Sequence, residues 1–250
     1  MKLLVIVLCL LSERFLIHAI SYQRFSWFNQ YLLFIDEHIL KGKFSTHPPL
    51  LLACYILPII LISSLIYLSM CSVLFGFVGL LLSLLLFYYC LGPKNPFYPE
   101  IPQAESADQE SSIKEYLAVV NNQLFAVIFW YIVGGPIAAL FFRMVSLFQS
   151  HAMTASLAKD ITEVLEWIPA RMTVLLYLLV GNFQSGFKIL LSYLVAKPAE
   201  NQKMLVECGM LALKTDEANV ISMPAAQTLV EHAVIVLLVL VALFTMASWL

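Results

Sequence analysis

Apolar residues run almost unbroken from Leu50 to Met70 and again from Ser72 to Leu91. Each run is about 20 residues long, enough for an α-helix rising 1.5 Å per residue to cross a hydrocarbon core of ~30 Å. The turn between them carries no charge, so together they predict a transmembrane hairpin. A third run, Leu124 to Phe142, follows directly from a polar helical stretch, Lys114 to Gln123, and has Gly134-Gly135-Pro136 at its middle. Those three residues predict a kink or a break, which lipid tolerates only where neighbouring helices or a cavity satisfy the freed backbone groups. A last run, Ala233 to Leu250, opens after Glu231-His232 and ends beside Trp249, a residue suited to the membrane interface.

Two apolar segments are less regular. Met1 to Leu11 has the length of a signal-peptide core, but Ser12-Glu13-Arg14 stands where cleavage needs small residues, and apolar character resumes from Phe15 to Ile20. The segment is therefore expected to stay in the mature protein. Met172 to Val180 is short, cut off by Gly181-Asn182 and then Gln184-Ser185-Gly186, and reads as a poor span or a helix buried among others.

Between these runs the chain is mixed. Ser21 to Pro49 places Phe25, Phe28, Tyr31 and Phe34 at near-helical spacing, the pattern of a surface helix. Pro93, Pro96, Pro99 and Pro102 lead into the acidic stretch Gln103 to Ser112, a linker by composition. His151 to Glu166 carries apolar residues at Leu157, Ile161, Val164 and Leu165, an amphipathic helical register, and Ala196 to Thr228 is polar enough to pack on the cytoplasmic side. The expected fold is an all-α polytopic membrane protein with about four to six membrane helices plus cytoplasmic amphipathic helices. Its expected divisions are 1–49 (N-terminal helix and amphipathic segment), 50–91 (hairpin), 92–112 (linker), 113–190 (core), 191–228 (cytoplasmic segment) and 229–250 (last span). Arg14, Arg24, Lys41 and Lys43 before the hairpin, with Lys94 and Lys114 after it, place its flanks in the cytoplasm and the C-terminus outside.

Composition agrees with this picture and narrows the chemistry. The chain is 61% hydrophobic and 12% charged, against about 25% charged in ordinary soluble domains. A net charge of -2 supplies no basic field for nucleic acid, so nucleic-acid binding is not expected. Cys9, Cys54, Cys71 and Cys90 fall in apolar runs with no C-x-x-C pair, while Cys208, in a polar stretch, is expected to be free and exposed. His38 and His47 lack partners at metal-ligand spacing, and no phosphate loop, serine elbow, zinc helix or dinucleotide fingerprint occurs. No catalytic residue and no metal ligand is assigned.

The candidate chemistry lies in charges at the edges of apolar segments. Glu166-Trp167-Ile168-Pro169-Ala170-Arg171 stands where a polar segment meets an apolar helix, with Pro169 as a helix start and Trp167 at interface depth. Arg171 enters that helix and needs a carboxylate, a phosphate or a headgroup, because an unpaired desolvated cation costs several kcal/mol. Arg143 ends the broken run and either snorkels to the headgroups or meets an anion. Glu13 either lies in the interface or points into the bundle. Asp160 and Glu163 share a stripe with Trp167 and either face water or hold a magnesium ion.

Two stretches together, Asn121-Asn122-Gln123 through Gly134-Gly135-Pro136 to Arg143, and Trp167-Ile168-Pro169-Ala170-Arg171 with its upstream acids, resemble the AmpE family. The resemblance implies an inner-membrane signalling modulator of inducible β-lactamase, encoded beside a cytoplasmic amidase that recycles anhydro-muropeptides. It extends to the related CobD/CbiB adenosylcobinamide-phosphate synthases, which use ATP and magnesium. In that synthase pattern a Glu-Asn-x-x-Asp-Gly stretch precedes the glycine pair and a Ser-Pro-Asn loop follows the second motif. Here Ala118 and Asn122 stand at the acidic positions and no Ser-Pro-Asn follows Arg171. Losing carboxylates removes natural ligands for phosphate-bound magnesium. The expectation is a non-enzymatic modulator with a degenerate phosphate- or nucleotide-like pocket formed by Arg143, Arg171, Asn121, Asn122, Glu166, Glu163 and Glu13. Its expected partners are the lipid bilayer and a cytoplasmic amidase or muropeptide-related ligand, with ATP and magnesium only if the ancestral site is retained. The alternatives are an amide-forming membrane ligase of the synthase type, and a small transporter or structural subunit.

Overall fold

A computed structural model describes residues 2–15, 26–35, 48–71, 76–92, 97, 106–214 and 222–247. Arg24, His38, Lys41, Lys43, His47, Trp249 and most of the proline-rich linker lie outside the described residues. Among those described, every regular element is helical: α1 (Lys2–Phe15), α2 (Ser26–Ile35), α3 (Pro48–Met70), α4 (Phe77–Cys90), α5 (Ser106–Val120), α6 (Ala126–Leu147), α7 (Ala155–Leu165), α8 (Trp167–Val180), α9 (Phe183–Tyr193), α10 (Asn201–Leu213) and α11 (Met223–Ala247), with a π-helical turn at Asn121–Phe125. Three stretches have the length and apolarity to cross a membrane: Pro48–Met70, Gln109–Ser150 and Met223–Ala247. Two shorter apolar helices, α4 and α8, accompany them. The all-α membrane architecture expected from the hydropathy pattern is thus the one observed.

The chain forms two compact units, Met1–Asn95 with Val127–Thr162, and Pro96–Ala126 with Glu163–Leu250. In the first, α4 packs on both α1 and α3. Val5, Ile6, Cys9, Leu10 and Glu13 form the buried face of α1, the i, i+4, i+8 stripe of one helical side. Pro48 and Pro49 open α3, where the missing N–H groups cost nothing. Only the early residues Leu51, Leu52, Tyr55 and Ile56 of α3 are buried, while Leu57, Leu61, Ile62, Leu65 and Leu68 are exposed, the surface of a lipid-facing helix. Tyr55 stacks on Phe148 with ring centroids 5.2 Å apart, Phe28 meets the same ring edge-on at 5.1 Å, and Tyr31 donates to the Tyr55 carbonyl at 2.6 Å. These contacts dock α2 on α3.

The glycine pair breaks α6. Gly135 has φ 75 and ψ -165, a conformation that only glycine adopts without strain. Before the break, Tyr131 packs on Phe87 and its hydroxyl donates to Ser83 at 3.3 Å. After it, Arg143 donates from Nε to the carbonyl of Cys90, the last residue of α4, at 2.6 Å. A straight helix would carry residues 131 and 143 about 18 Å apart, whereas Ser83 and Cys90 are separated by only about 10 Å of helix. The break lets both halves of α6 contact α4.

In the second unit α10 packs on α8, α9 and α5, and α11 on α8 and α5. Phe125 and Tyr177 meet edge to face at 5.8 Å, and the Tyr177 hydroxyl donates to the Leu117 carbonyl. α8 stops at Val180 because Gly181 passes directly over α10, where a Cβ would collide with the Ala212 carbonyl. Asn182 then donates its N–H to that same carbonyl at 3.1 Å and caps α9 by accepting from Ser185 N–H.

Four local expectations need correction. Cys208 is buried rather than exposed, because its helix is the one enclosed by three others. In α7 the buried positions are Ala158 and Thr162, and Val164 is 61% exposed: the small side chains face inward because they allow close packing. Pro169 is the third residue of α8, still within the turn that lacks intrahelical N–H acceptors. Finally, α11 begins at Met223, ten residues before the apolar run, so Glu231 and His232 lie inside the helix.

Candidate functional site

In the second unit the Glu166–Arg171 stretch is a hydrogen-bonded knot. Arg171 donates from Nε to the Leu194 carbonyl at 2.9 Å, and from Nη1 to the Trp167 carbonyl at 2.7 Å and Asn201 Oδ1 at 3.1 Å. From Nη2 it donates to the carbonyls of Tyr193 at 2.8 Å and Ala196 at 3.0 Å. A guanidinium has five N–H donors, and all five are taken. Its carbon lies 4.0 Å from the Trp167 ring centroid, a cation–π contact, and Trp167 Nε1 donates to the Ala196 carbonyl as well.

The acceptors explain the arrangement. Tyr193 is the last residue of α9, and a helix leaves its final carbonyls without intrahelical partners and carries a partial negative charge there. Arg171 therefore caps α9 and clamps it to α8. Asn201 completes the clamp, accepting from Arg171 and donating from Nδ2 to the Glu163 carbonyl at 2.8 Å. Arg143 does the equivalent in the first unit, where it is 2% exposed and its Nε serves the terminal carbonyl of α4.

The remaining polar candidates divide between the units. Asn122 donates from its side-chain amide to Glu166 Oε1, joining the π-helical turn to the start of α8. Asn121, fully buried in that turn, accepts from the Thr173 hydroxyl at 2.9 Å. Its own Nδ2 finds no acceptor among the described residues. Unsatisfied buried amides are rare and costly, and π-helical turns occur frequently at functional positions. Glu163 is half-buried at the end of α7, and Asp160 is exposed. Glu13 is 1% exposed, so α1 presents it inward. Five of the candidates, Asn121, Asn122, Glu163, Glu166 and Arg171, thus belong to the second unit, while Glu13 and Arg143 belong to the first.

Three participants were not anticipated: Thr173, Tyr193 and Asn201. Thr173 follows Arg171 at i+2 inside an apolar run, where a hydroxyl needs a partner, and that was the available signal. Tyr193 contributes a carbonyl, which no side-chain pattern reveals. Cys208 lies near this region, and burial, with Glu207 adding to it, pushes its thiol up to about 11. That thiol is protonated at neutral pH and is no nucleophile. Among the described residues no three His, Cys, Asp or Glu side chains converge.

Apolar helices of spanning length, a broken helix, and arginines committed to helix ends place this protein among polytopic helical membrane proteins. A family model described as "Regulatory signalling modulator protein AmpE" matches residues 99–250, more than half of the chain, and the chain belongs to that family. It is accordingly a bacterial membrane protein with a regulatory role. No curated protein and no solved structure matches it.

Proposed function

We propose that the protein is an inner-membrane signalling modulator of inducible β-lactamase and cell-wall recycling that carries out no catalysis itself. The observation carrying this reading is the commitment of Arg171: with five donors on five protein acceptors, it holds α8, α9 and α10 together instead of offering N–H groups to a phosphate. A phosphate-handling ligase of the CobD/CbiB kind needs such free donors and acidic magnesium ligands, and Ala118 and Asn122 stand where those acids would be.

In this reading 113–190 is the core, and the sites inherited from a synthase-like ancestor now have different duties. Asn122, Glu163 and Glu166, each partly exposed, form a polar patch beside the π-helical turn that can take a muropeptide-related ligand, with the buried Asn121 behind it. Arg171 positions that patch, and Arg143 and Glu13 order the first unit. The hairpin flanks face the cytoplasm, where an amidase partner works, and the C-terminus faces outward. ATP and magnesium have no part in it.

The test is deletion of the gene, with β-lactamase induction measured across several β-lactam inducers, and restoration by the wild-type chain. A changed induction threshold is expected. Induction identical to that of the parent strain with every inducer refutes the role, and restoration of cobinamide synthesis in a synthase-deficient strain would establish the ligase instead.

A further inference from the structure

The broken helix opens onto a cavity of about 600 Å³ within the first unit, lined by residues of α1, α3, α4 and α6. Its size falls within the range of small-molecule sites, about 300–1,000 Å³. The wall chemistry has one sign. Among the described residues Lys2 is the only charged one on it, and no carboxylate lines it. The Lys2 ammonium donates to the Ile132 carbonyl at 2.8 Å, which uses one of its three N–H groups; the other two have no acceptor among the described residues.

One further donor meets the same space. Ser83, 6% exposed, accepts from Tyr131, and its own hydroxyl proton finds no acceptor among the described residues. Pro136, on the cavity wall, has no N–H, so the Ile132 carbonyl one turn earlier lacks its intrahelical donor and takes the Lys2 ammonium instead. A Cβ on Gly135 would meet nothing within 4 Å, so the backbone here borders open space. Val5, Leu80 and Ile137 supply an apolar floor beside these donors.

We propose that this cavity binds an anionic amphiphile, a phosphate or carboxylate head carried on a hydrocarbon body. Lys2 and Ser83 hold the head, and the apolar floor holds the chain. Spare donors and a cation favour a negative group, and a neutral ligand would leave the Lys2 charge uncompensated. Either a bilayer phospholipid or a free amphiphile supplies that chemistry.

The full-length protein, purified in a neutral maltoside detergent, is titrated with decyl phosphate and with decanol, and the melting temperature is followed. Decyl phosphate should stabilise saturably and decanol should not. Lys2→Gln, an exposed position that folding tolerates, should weaken decyl phosphate binding about tenfold, the scale of one charge-assisted hydrogen bond. Ser83→Ala should weaken it several-fold, and Lys188→Gln, an exposed lysine of the second unit, should leave it unchanged. Repeating the titration in phosphatidylcholine nanodiscs with and without phosphatidylglycerol identifies the source. Suppression of the response by phosphatidylglycerol assigns a lipid, and a persisting response assigns a free amphiphile. The site is refuted if decyl phosphate does not bind, if decanol stabilises equally, or if Lys2→Gln and Ser83→Ala both bind with wild-type affinity. Such a failure leaves the regulatory reading standing.

Discussion

Replacing Arg171 with methionine keeps most of the side-chain volume and removes all five donors. Each charge-assisted hydrogen bond of this kind contributes about 1.5–3 kcal/mol when fully buried. Arg171 is only half-buried, so water relieves part of the loss, and Trp167 Nε1 still serves the Ala196 carbonyl. The carbonyls of Tyr193 and Leu194 and the Asn201 amide oxygen lose their described Arg171 donor. Counting about half the full value for these three groups, and allowing for non-additivity, gives a destabilisation of roughly 2–4 kcal/mol. For a chain of this length that corresponds to a melting temperature lower by roughly 4–16 °C, read by intrinsic fluorescence in detergent. Arg171→Lys keeps the charge at the α9 end but has three donors instead of five, and should recover about half of the loss. A methionine variant melting within about 2 °C of the wild type would sink the clamp reading, since the three lost bonds together exceed that shift.

Thr173→Val should cost about 1–3 kcal/mol by leaving the buried Asn121 amide with no described partner, whereas Asn121→Leu combined with Thr173→Val should be nearly neutral; a double-mutant cycle in denaturant separates the two. Gly135→Ala should destabilise by about 1–3 kcal/mol through its positive φ alone, there being no atom nearby to clash with, and a melt equal to wild type would mean that the break is not held in this conformation. Cys208 should resist maleimide at pH 7.5 in the folded protein and react once the protein is unfolded. Its folded pKa is raised from 9.0 to about 11, so the neutral thiol contributes stability that is complete below pH 9 and lost as pH rises through 11; rapid labelling of the native state at pH 7.5 would contradict the burial.

The membrane helices were legible because hydropathy and length are local properties. The hairpin of α3 and α4, the end of α8 at Gly181 and the break at Gly134-Gly135-Pro136 are all written in consecutive residues. The role of Arg171 was not, for a physical reason. A cation in an apolar run demands a partner, and that much the sequence states. Three of its acceptors, however, are backbone carbonyls 22 to 25 residues downstream, which every residue possesses and no pattern singles out. Cys208 misled in the opposite way. Its polar neighbours suggested solvent, but α10 turns the residue towards α5 and α8. The α7 register failed because Ala158 and Thr162 carry little hydrophobicity yet pack best at close range.

The clamp also sets an order of events during synthesis. Four of the five acceptors of Arg171 are Tyr193, Leu194, Ala196 and Asn201, all made after α8 is complete. Until those residues emerge, α8 is a 14-residue helix, about 21 Å long, with an unsatisfied cation near its beginning. Such a segment is too short and too polar to settle in the bilayer by itself. It has to remain at the translocon or the membrane surface until α9 and the start of α10 emerge. The three helices then enter their final positions together, and a chain truncated between residues 181 and 192 should be recognised as defective and degraded.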